Sequence, residues 1–126
     1  MGLRERCMTP LEATLHVVPR GRVDLIDIRA RAADAYDRAF DQYARCAYCS
    51  LHTTAGYLPP RLVARLQARS QAVDRYVEML RRVFPEGAGY LHDELGRRDD
   101  LTPAQRQREP LNGDAHLAFI GGGLRA

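Results

Sequence analysis

The chain contains no lysine and no tryptophan, and only three cysteines among its 126 residues. All nineteen cationic side chains are arginine. A GC-rich genome imposes such a bias, and its chemical effect is a planar fork matched to phosphates and carboxylates. The arginines are spread along the sequence rather than gathered. The net charge of +3 and the pI near 9.0 therefore do not outline a nucleic-acid footprint. No apolar run approaches the roughly 20 residues that span a bilayer, and MGLRERCMTP lacks the apolar stretch of a signal peptide. The expected setting is the cytoplasm, with neither membrane nor nucleic acid as partner. An odd cysteine count without a secretory signal argues against a disulfide framework. Cys46 and Cys49 match C-x-x-C, but RCAYCSL reads as a strand, on which positions three apart face opposite ways. These two thiols are expected to stay reduced and to bind no metal together. There is no internal repeat and no compact H-x-x-x-H signature.

What is present reads as one globular domain over residues 1–126: 45% of residues are hydrophobic and 28% charged, proportions that supply a modest core and a solvated surface. LEATLHVV (Leu11 to Val18) and VDLIDI (Val23 to Ile28) alternate in the manner of half-buried strands, with PRGR as the turn between them. RCAYCSL, Arg45 to Leu51, fits a central strand. Between these strands, Ala33, Tyr36, Phe40 and Tyr43 recur at helical spacing over Arg29 to Arg45. After Pro59 and Pro60 a long helix is predicted as far as Phe84. Leu62, Leu66, Val73, Val77, Leu80 and Phe84 form its apolar face, and Arg69 falls on the wrong side of it.

The segment 93–111 is polar and reads as a mobile loop insertion. LTPAQRQRE within it predicts a short helix with Thr102 as cap and Pro103 in the first turn. In NGDAHLAFIGGG, Asn112 or Asp114 can cap a helix that the glycines stop.

Four histidines are distributed unevenly. His16 lies on a predicted strand. His52 follows one, in SLHTTAGYLPP. His92 follows the long helix, and His116 sits in the first turn of the capped helix. Functional groups gather where rigid elements give way to loops, and imidazole is both a metal ligand and an acid or base. Convergence of His52, His92 and His116 stands against three separate surface or structural histidines, and spacing does not choose between them.

DLIDIRARAADAY, CSLHTTAGYLPP, YLHD and NGDAHLAFIGGGL, in that order, resemble the YjbQ family, also called the secondary thiamine-phosphate synthase family. The likeness covers most of Val23 to Leu124. It implies an α/β fold, a mixed and mostly antiparallel sheet with two main helices, assembled as a homotrimer. It also implies a site holding His52, His92 and His116 as catalytic or metal-binding residues, with Thr53, Thr54, Asn112 and Asp114 on the substrate side. Ala55 and Gly56 would allow close approach of backbone or ligand. By resemblance, the reaction joins a pyrimidine diphosphate to a thiazole phosphate and releases pyrophosphate, with zinc or magnesium as the candidate cofactor.

Arg97 or Arg98 would close over the anion, or remain solvated on the loop. Chains of that family run on past GGGL into further strands with a G-T-W-Q segment, whereas this sequence stops at Ala126. The resemblance therefore predicts open sheet edges covered by association. Two other functions fit the same residues. One is a metal-dependent hydrolase with three histidines and a water facing Asp93 or Asp114. The other is a shortened, non-catalytic family member that oligomerises.

Overall fold

The computed structural model describes residues 9–125; Cys7 lies outside them. The chain divides into two compact units. One holds the described residues up to Val18 together with Ile26–Ala47. The other holds Pro19–Leu25 and the described residues from Tyr48 onward.

The first unit is built on α1 (Ile28–Ala35). Asp27 caps it, its carboxylate accepting the Ala30 N–H at 2.9 Å. Beyond Tyr36 the helix stops, because Asp37 and Arg38 take left-handed conformations at φ 46° and 58°. The chain resumes as a single 3-10 turn, Ala39–Gln42. The rings of Tyr36 and Phe40 meet edge to face with centroids 5.6 Å apart, which keeps the two pieces adjacent. The preceding strand-like segment is strapped down by phenols. Tyr43 donates to the Thr9 carbonyl at 2.8 Å and Tyr36 donates to that of Thr14.

The second unit is helical. It comprises α2 (Pro60–Gln67), α3 (Ala72–Val83), the one-turn α4 (Pro103–Arg106) and α5 (Gly113–Gly121). Two 3-10 turns, Leu91–Asp93 and Leu95–Arg97, lie between α3 and α4. α3 packs against both α2 and α5, and α5 also meets the first 3-10 turn. The core is small. Val77, Leu80 and Ala118 are buried. Tyr76 donates across it to the Gly122 carbonyl at 3.0 Å. α5 ends where the sequence predicts, at its glycines. Gly121 is required there by space, since a Cβ would come within 2.5 Å of the Phe84 ring.

The predicted sheet is not formed. Among the described residues the only β pairing is one antiparallel bridge, Tyr57 with Arg125. The α/β fold with a mixed, mostly antiparallel sheet is thus replaced by a helical arrangement. The reason lies in what the alternating residues do. In VDLIDI, Asp24 turns back to accept the Arg20 N–H at 2.9 Å and its guanidinium at 2.6 Å. Asp27 is spent as a helix cap. Neither acid marks the solvent side of a strand. In the other two segments the apolar side chains find no second layer, with Val18 85% and Leu51 97% exposed. A strand without a buried face and a partner has little to hold it.

The long helix predicted to run to Phe84 is two helices. A continuous helix would place Arg69 toward its apolar face. The chain breaks instead at Ala68–Gln71, with Gln71 left-handed at φ 61°, and Arg69 is exposed.

Candidate functional site

The best-assembled polar cluster lies where the first 3-10 turn meets the start of α5. His92 and His116 bring their rings together with centroids 4.6 Å apart and planes inclined at 46°. His92 Nδ1 is 3.1 Å from Asp93 Oδ1. A carboxylate only accepts, so a neutral His92 carries its proton on Nδ1 and leaves Nε2 as the bare nitrogen. The same Asp93 oxygen also accepts the Gly113 N–H at 2.8 Å. One carboxylate thereby fixes the imidazole and the first turn of α5, which carries His116. Gly113 has no room for a side chain, because a Cβ would stand 2.7 Å from Tyr90 Cβ and 3.2 Å from Asp93 Oδ1. Tyr90 donates to the Pro85 carbonyl at 2.8 Å. Burial and the charges of Asp114 and Asp93 raise its phenol above its ordinary value.

Around His92 Nε2 the polar groups are already committed. Arg98 Nη1 lies 3.4 Å from it and bonds Glu109 at 2.9 Å. The other edge of that guanidinium forks onto Asp100 at 2.6 and 3.1 Å, which raises the Arg98 pKa and lowers that of Asp100. Arg106 donates to the Arg98 carbonyl at 2.7 Å. The segment 93–111 is therefore a chain of short turns tied by ion pairs. Thr102 and Gln105 form a capping box at its centre, as the sequence predicts for Thr102 and Pro103.

Asp114 is 3% exposed and gripped by Arg22 at 2.5 and 2.9 Å. That bond is the main reason its carboxyl is held below its ordinary value and the Arg22 guanidinium above its own. Arg22 also reaches the Leu111 carbonyl at 2.9 Å and Glu86 at 3.1 Å. Asn112 caps α5 by position, but its side chain makes no capping bond. Its Oδ1 is buried with no partner among the described residues.

His52 is exposed, in a local turn. Its Nδ1 meets the Thr54 hydroxyl at 3.0 Å and the Thr54 N–H at 3.2 Å. Thr53 is exposed, whereas Thr54 lines a shallow cavity of about 80 Å³ with Arg22, Asp24, Tyr76 and Phe119. Behind that cavity, Gly56 passes so close to the Phe119 ring and the Arg125 carbonyl that a Cβ would lie 2.5 and 2.6 Å from them.

The structure thus joins His92 to His116 and sets His52 beside Thr54. Two partners went unread in the sequence. Arg22 lies 92 positions from the aspartate it holds. Asp93 was weighed as opposite a water rather than as the group orienting His92, although its place next to His92 was available as a signal.

Among the described residues no group of three or more histidine, cysteine, aspartate or glutamate side chains is arranged to hold a metal ion. His92 and His116 offer two imidazoles, fewer than the three protein ligands of a catalytic zinc site, and neither zinc nor magnesium enters the chemistry below. Cys46 and Cys49 are free and exposed, and the strand that was to separate them is not formed. No helix among the described residues is long and apolar enough to cross a membrane. Comparison with protein-family models, with curated proteins and with solved structures gives no match. The class defined by fold and site is a small helical protein with an aspartate-oriented histidine pair.

Proposed function

We propose that the chain is a YjbQ-like transferase acting on small phosphorylated molecules at the His92–His116 pair. The observation that carries this reading is the pair itself, with ring centres 4.6 Å apart and one member held by Asp93. The substrate class comes from the resemblance of HTTA, YLHD and NGDAH to that family. The reading rests on these residues, not on the sheet that the resemblance implied. In the reaction, a thiazole nitrogen bonds to the pyrimidine methylene carbon while the carbon–oxygen bond to diphosphate breaks. The electron pair leaves with pyrophosphate. The protein's part is to hold the partners in line and to donate hydrogen bonds to the departing oxygens. His116 is the donor, and His92 joins it from Nε2 only in its doubly protonated form, its Nδ1 proton being held by Asp93. A ligand donor reaching Asn112 Oδ1 would satisfy an acceptor that is costly to leave bare, by about 1–3 kcal/mol.

The test is pyrophosphate release from a pyrimidine diphosphate and a thiazole phosphate, run beside a phosphorus-NMR titration with pyrophosphate. Release and line broadening are expected for the native chain, and both should be lost in His92→Ala and His116→Ala. In Asp93→Asn the nitrogen-15 shifts of His92 should move from the Nδ1–H tautomer toward a mixture. A native chain that neither releases nor binds pyrophosphate would sink the proposal.

A further inference from the structure

The threonines of SLHTTAGYLPP have no part in the His92–His116 pair, and one of them is placed for chemistry of its own. Two contacts meet on one nitrogen of His52. The Thr54 N–H stands 3.2 Å from Nδ1, and the Thr54 hydroxyl 3.0 Å from it. A backbone N–H can only donate, so Nδ1 is the accepting nitrogen and the neutral ring carries its proton on Nε2. The hydroxyl is then the donor in its own contact with Nδ1. The backbone thus settles the tautomer, and Thr54 Oγ1 meets a bare imidazole nitrogen before any substrate arrives. A hydroxyl within hydrogen-bond reach of a base is the arrangement of an activated nucleophile.

Thr54 also lines the cavity of the second unit, whose volume is about 80 Å³. One water needs roughly 10–15 Å³, and a cavity of about 150 Å³ holds benzene, so the space suits a short acyl chain. Two charged residues line it, and each already has a partner: Arg22 is held by Asp114 and Asp24 by Arg20. The Tyr76 phenol donates to the Gly122 carbonyl. Much of the remaining wall is apolar, with Leu58, Leu80 and Phe119. A paired cation and a paired anion give no net attraction for an ion. The group that fits is therefore neutral and apolar, unlike the phosphorylated molecules proposed for the His92–His116 pair, and the two sites share no residue.

We propose that Thr54 and His52 form a second catalytic site, which hydrolyses short-chain neutral esters through an acyl-threonine. Thr54 Oγ1 attacks the carbonyl carbon, and its proton passes to His52 Nδ1. The carbon–oxygen bond to the alcohol breaks, and the alkoxide leaves with that proton. Water then attacks the acyl-threonine and gives a proton to Nδ1. The acid departs as Nδ1 returns the proton to Oγ1. The sum is ester and water to acid and alcohol. While Nδ1 holds a proton it no longer accepts the Thr54 N–H. That amide is released at the step in which negative charge gathers on the carbonyl oxygen, where a backbone N–H is an effective donor.

The experiment is hydrolysis of p-nitrophenyl acetate by the full chain, read as nitrophenolate absorbance beside free imidazole at the same concentration. The native chain should be faster than imidazole. Thr54→Val keeps the shape and removes the hydroxyl, and His52→Ala removes the base. Each should lose about 100-fold, the lower end of what a positioned base contributes, with circular dichroism unchanged. The double variant should be no slower than either single one, because the two groups act as a unit. Should Thr54→Val not fold, activity kept in Thr54→Ser and lost in His52→Ala gives the same answer. Cys46 and Cys49 are exposed thiols that esters also acylate, so fragmentation of the quenched protein in a mass spectrometer locates the acyl group. It should sit on Thr54, and Cys46→Ser with Cys49→Ser should leave the rate unchanged. The proposal is overturned by any of three results: a native rate no greater than that of imidazole, a Thr54→Val chain that hydrolyses like the native one, or an acyl group found on a cysteine or on His52 and never on Thr54.

Discussion

The segment that carries His92 and the segment that carries His52 reach opposite states. Around His92, charges find partners: Asp93 holds the ring, Arg98 bridges Glu109 and Asp100, and Arg22 secures Asp114. Around His52, bonds are local, running to Thr54 two positions on, and the arginines that follow have no partner. The difference teaches where a polar cluster gains its order. Acidic residues tie the first region together, at separations from one position for Asp93 and His92 to 92 for Asp114 and Arg22. Among the described residues no acidic side chain bonds to the second, and its polar groups are held only by their own neighbours.

Removing the tie should collapse the contrast most. Asp114→Ala leaves the Arg22 guanidinium beside a buried hole and frees the first turn of α5. A loss of about 2–4 kcal/mol is expected, toward the lower end because Arg22 is partly solvated. Urea unfolding of native and variant chains measures it. A loss under about 0.5 kcal/mol would place Asp114 among ordinary surface residues and dissolve the distinction between the two regions.

Acid provides a second, smaller separation. Arg20 holds the Asp24 carboxyl at about 2, below its ordinary 3.8. A carboxylate whose folded value is depressed stabilises above its unfolded value and loses that contribution as pH falls through the folded one. The window therefore runs from just under 4 down to about 2. The contribution is about 1 kcal/mol once solvent around the exposed Arg20 is allowed for. Thermal unfolding across that range should show it, and Asp24→Asn should flatten the profile there. An unchanged profile would mean that the turn from Arg20 to Asp24 holds without its charge.

The smallest effect concerns the loose region. Gln71 adopts a left-handed conformation at the N-cap of α3 and makes no capping bond. Asparagine tolerates that conformation and caps better. Gln71→Asn should stabilise by about 0.5 kcal/mol, read as a shift in the urea midpoint at constant slope. Destabilisation would show that the break between α2 and α3 is fixed by something other than its backbone geometry.

The sequence disclosed elements whose instructions are local. Thr102 as cap with Pro103 behind it announces α4, Pro60 opens α2, and the glycines after Ile120 close α5. It misled where a pattern depends on a partner elsewhere. Alternation in VDLIDI describes a strand only if a neighbouring strand accepts its bonds, and Asp24 and Asp27 found nearer employment. For the site, His92 and His116 could be named as candidates because element ends attract function. That these two would meet, with His52 beside Thr54 instead, depends on packing between α5 and the turn at Leu91–Asp93, which no spacing encodes. Arg22 illustrates the limit. Nothing around it in PRGR points to Asp114.

The bridge between Tyr57 and Arg125 has a bearing on the order in which the second unit comes together. It consists of two backbone bonds, at 2.7 and 3.0 Å, worth about 1 kcal/mol each. Closing a loop as long as the one between these residues costs roughly 4 kcal/mol in chain freedom. The bridge cannot draw its own ends together. α3 and α5 must dock first, bringing Phe119 and the glycines after it alongside Gly56, and only then do the two amides find their carbonyls. The pairing that most resembles a sheet in this molecule is therefore a late fastening, made after the helices have done the folding.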